Sequence, residues 1–179
     1  DFLLTDAGYN NLDVFDKQVY TFQNPDLYSA TEKLILWRDA YKAIAIANTV
    51  LDGLSDIKIL KGLDPNNIKG QALFHRAFMH FILLQIYAAP FDQKGNNNVP
   101  GIPIKLSSDI NDKTKRSTVG ECYRSVIQDL EEAAGLLPNE LGIVTRPNKI
   151  SAHAALSRVY MAMEDYGNAK KYACLLYTS

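Results

Sequence analysis

The C-terminal text, Arg146-Pro147-Asn148-Lys149 followed by SAHAALSRVYMAMEDYGNAKKYA, constrains the fold of this chain more than any other stretch. Two runs of small and apolar residues at helical spacing are separated by Glu164, Asp165, Tyr166, Gly167 and Asn168. These break the period before it resumes at Ala169, Tyr172 and Ala173. The pattern reads as a helix, a tight turn and a second helix. A hairpin of this kind buries itself by stacking on neighbours, so the chain is expected to be a helical array whose surfaces bind other molecules. It is a scaffold signal and carries no catalytic chemistry.

Tyr160, Tyr166 and Ala169 stand at the spacing of a tetratricopeptide hairpin. Upstream, residues 1–30 are rich in Asp, Asn, Tyr and Phe without a period, and Asn24-Pro25-Asp26 signals a turn; they read as an irregular aromatic segment lying against the body. Leu34, Trp37, Tyr41, Ile44, Asn48 and Leu51 step by three and four, which predicts a helix over residues 31–54 whose exit Gly53 and Gly62 bracket. A second helix opens at Asp64-Pro65, runs to about residue 89 and stops at Pro90; it is apolar around its whole circumference and is the expected centre of the core. Residues 90–117 are a long loop rich in Pro, Gly and Asn, within which residues 101–106 offer a short edge pairing. Thr118 and Glu121 form a capping box for a third helix ending at Pro138, and a loop over residues 139–149 leads into the terminal hairpin. The expected fold is therefore all-α: tetratricopeptide-like helical hairpins with long irregular loops, an α-α superhelix. The stop at Ser179 suggests a piece of a longer protein whose continuation covers the end of the array.

Composition excludes several partners. Of 179 residues 47% are hydrophobic and 22% charged, enough for a genuine core. With 19 basic and 20 acidic residues the chain has no electrostatic footprint for nucleic acid or for anionic lipid. No segment approaches the roughly 20 apolar residues of a membrane span, and DFLLTDAGYN lacks the basic and apolar regions of a leader. Cys122 and Cys174 sit in apolar helical runs without metal-type spacing and read as buried free thiols.

A search for chemistry returns little. His75 and His80 are five apart and fall on different helix faces, and His153 belongs to another helix, so the three read as partly buried structural histidines and no metal is expected. Glu131 and Glu132 diverge by about 100 degrees and read as a solvated face. No nucleophile stands in a catalytic motif and no glycine-rich loop cradles phosphate, so neither a cofactor nor an enzymatic reaction is expected. Trp37 and Tyr41 could present a stacking platform, but their helical spacing favours packing. Asn48 shares that apolar stripe and should tie its helix to a neighbouring backbone. The long loop combines Phe91, Asp92, Gln93 and Asn96 to Asn98, an aromatic face with short amides and a carboxylate; this kit suits hydroxyl-rich ligands, and equally suits a turn-rich connection.

Five segments in order resemble the SusD/RagB family of outer-membrane nutrient-binding lipoproteins. They are WRDAYKAIAIANTVLDGL from Trp37, KGQALFHRAFMHFILLQIYAAPF from Lys69 with its Arg76-Ala77-Phe78 core, VPGIPIK from Val99, YRSVIQDLEEAAGLLP from Tyr123, and RPNKISAHAALSRVYMAMEDYGNAKKYA from Arg146. The resemblance implies that residues 1–179 are the N-terminal helical domain of a longer, non-catalytic surface lipoprotein of the outer membrane. Such a protein binds a glycan or oligosaccharide and delivers it to a SusC-like TonB-dependent transporter. It would meet the membrane only through a lipid anchor absent from this chain. Carried over by position, Arg76, Phe91, Asn96 and Asn98 are the candidate ligand-binding residues, although Arg76, on an otherwise apolar helix where an unpartnered charge is costly, reads more readily as one half of a structural salt bridge. Phe91 and Gln93 stand where the family would show a Trp, which argues against a starch-like stacking platform. The rival reading is a protein-interaction scaffold that contacts the transporter alone.

Overall fold

Seven helices and a two-stranded sheet occupy the described residues, 5–21, 35–54, 64–139, 143 and 145–178 of a computed structural model. Residues 1–35 and 36–179 form separate compact units. In the first, α1 (Asp6–Asn10) and α2 (Val14–Thr21) replace part of the expected irregular segment. Local capping explains the difference: Thr5 Oγ1 accepts from the Gly8 N–H at 3.2 Å, and Asp13 Oδ1 accepts from the Asp16 N–H at 2.7 Å. Helices this short show too few turns to register as a period. Tyr9 and Tyr20 meet with ring centroids 5.9 Å apart, and Lys17 Nζ lies 5.6 Å from the Tyr9 ring. The turn expected at residues 24–26, the helix start at residues 31–34 and Gly62 lie outside the described residues.

The second unit is the expected stack of antiparallel hairpins. α3 (Ile35–Gly53) leads to α4 (Pro65–Tyr87), whose first turn is closed by Asp64 accepting from the Asn66 N–H at 2.9 Å with Pro65 next to it. α4 packs on α5 (Val119–Leu136), α5 on α6 (Lys149–Ala162), and α6 on α7 (Tyr166–Thr178). The capping box at α5 is present, with Thr118 and Glu121 satisfying each other's backbone N–H groups. As its all-round apolar sequence predicts, α4 is buried on several sides, through Leu73, Ala77, Phe81, Leu83 and Leu84. The core continues through Ile44 of α3, Tyr123 and Leu130 of α5, and Leu156 of α6.

In the terminal hairpin Tyr160 and Tyr172 stack with centroids 5.5 Å apart and planes 7° from parallel. Ala169 is buried beside them. Glu164 makes the turn in the left-handed region at φ 58°, a conformation unusual for a residue with a side chain. Cys122 is buried, its thiol donating to the Ile102 carbonyl at 3.4 Å, but Cys174 is exposed, so only one of the two expected buried thiols is buried.

Within the long connection, β1 (Pro100–Pro103) pairs antiparallel with β2 (Arg116–Thr118), which runs straight into α5. The pairing forms at the front of the stretch the sequence offered. Gly101 is required by space there: a Cβ would lie 2.9 Å from Cys122 Sγ and 3.0 Å from the Ser117 carbonyl oxygen. The second neighbour is backbone and cannot swing aside. Gly101→Ala is therefore expected to lower stability by about 1–3 kcal/mol, read as a reduced urea midpoint at unchanged slope.

Candidate functional site

The connection between α4 and α5 is held down by polar side chains from three helices. Arg76, on the otherwise apolar α4, is 8% exposed and forms a two-pronged pair with Asp129 of α5. Its Nε and Nη2 donate to Oδ2 and Oδ1 at 2.7 Å each. Its Nη1 donates to Asn48 Oδ1 at 3.0 Å and to the Leu106 carbonyl at 3.4 Å. Asn48, fully buried on α3, donates through Nδ2 to the carbonyls of Lys105 and Ser107 at 3.1 and 3.2 Å. The sequence expectation that Asn48 ties its helix to neighbouring backbone is met.

The same segment has further anchors. Tyr41 donates its hydroxyl to the Pro103 carbonyl at 2.7 Å, Asp52 Oδ2 accepts from the Ser108 N–H at 2.8 Å, and His80 Nε2 accepts from the Lys105 N–H at 3.3 Å. Burial, reinforced by the positive charge of Arg76, lowers the His80 pKa to about 4, so the ring is a neutral acceptor at physiological pH. Burial also raises the proton affinity of Asp129, against the pull of the guanidinium that bonds both of its oxygens. The Lys105 ammonium bonds the carbonyls of Asp109 and Asp112 at 2.9 and 3.0 Å. Residues 103–112 thus run as a strap held at several backbone carbonyls and N–H groups by side chains of α3 and α4 and by its own Lys105.

Earlier in the same connection, residues 91–98 form a loop ordered by its own amides. Asn97 accepts from the Asp92 N–H at 2.9 Å and donates to the Asp92 carbonyl at 2.8 Å. Asp92 Oδ1 accepts from the Lys94 N–H and Asn96 Oδ1 from the Asn98 N–H, both at 2.9 Å. The Gly120 N–H at the start of α5 donates to the Asn97 carbonyl at 3.0 Å. Gln93 Nε2 reaches the Glu164 carbonyl at 3.2 Å, linking the loop to the turn between α6 and α7. Phe91 is half-buried with its ring edge-on to Tyr123 at 5.2 Å.

The four candidates are therefore not one cluster of equivalent groups. Arg76 is internal and engaged with Asp129 and Asn48, which is the structural ion pair its place on an apolar helix suggests. Phe91 packs on the core; Asn96 and Asn98 are exposed on the loop. Sequence reading missed Asp129 as the partner. The available signal was a carboxylate on the inward stripe of α5, between Val126 and Ala133. Trp37 packs between Tyr41 and Tyr87 at 4.9 and 5.0 Å, as its spacing predicts. Glu131 and Glu132 are exposed and each has a partner: Tyr172 donates to Glu131 at 2.9 Å, and Lys69 pairs with Glu132. His80 and His153 are buried and His75 is exposed. Among the described residues no group of three metal-type side chains comes together.

Comparison with known proteins sets this geometry in a family. Residues 7–161 match the SusD-like family described as starch-binding and associating with the outer membrane. SusD-like protein P2 of Formosa agariphila is 28% identical over 139 residues, covering 76% of this chain and 25% of that protein. A SusD superfamily protein from Bacteroides thetaiotaomicron superposes with a TM-score of 0.70 at 31% identity, over 79% of this chain and 31% of that one. A sugar-binding protein from Bacteroides vulgatus, so described with the qualifier putative, gives 0.75 at 28% identity, over 90% and 36%. The chain thus spans about a quarter of the curated relative and about a third of these two structures. With the match running from α1 to within a residue of the end of α6, this chain belongs to the SusD-like family.

Proposed function

We propose that this chain is the helical part of an outer-membrane protein that captures a glycan or oligosaccharide at the cell surface without chemistry and passes it to a SusC-like TonB-dependent transporter. Membership of a family described as starch-binding and associating with the outer membrane supports the substrate class and the location. The observation that carries the reading is the pre-ordered loop of residues 91–98. Its turns are already closed by Asp92, Asn96 and Asn97, so the exposed amides of Asn96 and Asn98 meet hydroxyl groups without a large ordering cost. Phe91, anchored on Tyr123, sets the depth of the loop. Arg76, engaged with Asp129, Asn48 and the Leu106 carbonyl, supports the strap of the same connection and does not itself face the loop's amides. Contacts of this kind are few and exposed, which suits transient holding and release to a transporter.

Calorimetric titration of the full-length protein with a panel of plant and host glycans tests the proposal. Binding of at least one glycan is expected, weakened about tenfold, or ~1.4 kcal/mol, by the paired change Asn96→Ala and Asn98→Ala. Heat absent across the panel overturns ligand capture and leaves the scaffold that contacts only the transporter. Appearance of shortened glycan products overturns the absence of chemistry.

A further inference from the structure

α5 and α7 flank α6 and leave an open surface cleft of about 420 Å³. It is lined by Glu131, Gly135, Lys149, His153 and Tyr172, with Ala134 and Leu156 as its apolar part. The loop of residues 91–98 adjoins α5 at Gly120, eleven residues before Glu131, which is roughly 16 Å along a helix. The cleft is therefore a different place from the loop.

Three polar groups in this lining have capacity to spare. Glu131 accepts from the Tyr172 hydroxyl at 2.9 Å through Oε1, which leaves Oε2 as an acceptor. Lys149 has no ion-pair partner among the described residues. His153 is 9% exposed, and its Nδ1 is buried with no hydrogen-bond partner. A buried polar atom without a partner is rare enough to require an explanation. The His153 ring packs against Tyr172 at 5.9 Å, and a half-turn about χ2, which is two-fold for histidine, exchanges the positions of Nδ1 and Cδ2.

We propose that this cleft binds a neutral polyhydroxylated molecule such as a sugar ring. The choice follows from donor and acceptor bookkeeping. An anion would accept from Lys149 but repel Glu131; an ammonium would donate to Glu131 but repel Lys149. A hydroxyl group donates and accepts at once, so adjacent hydroxyls satisfy the carboxylate, the ammonium and either tautomer of the imidazole together. The apolar part of the lining offers surface for the C–H face of a ring. At Gly135 a Cβ would meet nothing within 4 Å, so there is room beside this position for a larger side chain.

The test follows the His153 imidazole nitrogens by NMR while the full-length protein is titrated with glucose, glucuronate and glucosamine. Glucose is expected to shift the His153 signals and to bind more tightly than either charged sugar. Gly135→Leu fills the cleft while replacing a helical glycine by a better helix former, and is expected to weaken glucose at least tenfold with the helical circular dichroism retained. Lys149→Met, which removes only the ammonium, is the second variant and is expected to weaken it as well. Shifts confined to residues 91–98 with His153 silent would overturn this site while leaving ligand capture by the loop standing. Tighter binding of a charged sugar, or wild-type affinity in both variants, would also overturn it.

Discussion

Replacing Asp129 by alanine is expected to destabilise the protein by about 3–5 kcal/mol, because it leaves the Arg76 guanidinium buried and unpaired. The same loss is expected for Arg76→Ala, which strands the carboxylate instead. The pair joins α4 to α5 through two short bonds in a site from which water is largely excluded, so neither partner can recover its solvation by moving outward. Exchanging both for leucine removes the uncompensated charge, and the double variant should regain most of the stability. It should not regain the strap: Asn48 Oδ1 and the Leu106 carbonyl lose the donor that Arg76 supplies. Urea unfolding of the two single variants and the double gives the coupling energy. Hydrogen exchange at residues 105–108 should be faster in all three variants. Equal losses that simply add, with exchange unchanged, would mean that the pair neither couples the helices nor holds the strap.

Acid should unfold the protein through His80. In the unfolded chain this ring protonates near its ordinary value of 6.5, but in the folded protein only at about 4. Between those values the unfolded state binds more protons, so stability falls as pH drops from about 6.5 to about 4. The loss across the window is on the order of 3 kcal/mol for this one residue. The mechanism is local: a protonated ring at Nε2 can no longer accept from the Lys105 N–H, and its charge faces Arg76. Burial moves His75 and His153 in the same direction, so the test is the difference between wild type and His80→Gln. Chemical denaturation at several pH values should show a shallower slope for the variant in that window. Parallel slopes would mean that His80 is not the acid-sensitive group.

What could be read from the residues divides along the range of the interactions. Helices α3 to α7 announce themselves because three- and four-residue spacing and local caps such as Thr118 with Glu121 are written within a few positions. The hairpin of α6 and α7 was legible for the same reason, down to the burial of Ala169. Residues separated by fifty or more positions were not. Arg76 could be seen to need a partner, but that the partner is Asp129, 53 positions away, depends on how α4 and α5 align. Asn48 could be expected to meet backbone, yet its acceptors at Lys105 and Ser107 became known only with the strap in place. The loop lay between these cases: its turn-forming Asn and Asp residues were evident, while the division between Asn97, turned inward on Asp92, and exposed Asn98 was not. The short helices α1 and α2 escaped because two turns carry almost no periodicity. Cys174 was misjudged because apolar neighbours in sequence do not fix which side of α7 faces out.

The central claim is that this family member holds a glycan on the ordered loop at the α4–α5 connection and leaves it unchanged. Hydrogen–deuterium exchange of the full-length protein, with and without a bound oligosaccharide and with the sugar recovered for mass analysis, tests both halves together. Slowed exchange at residues 91–98 with the oligosaccharide recovered intact is the result expected. Protection confined to other parts of the protein, or recovery of cleaved sugar, would contradict it.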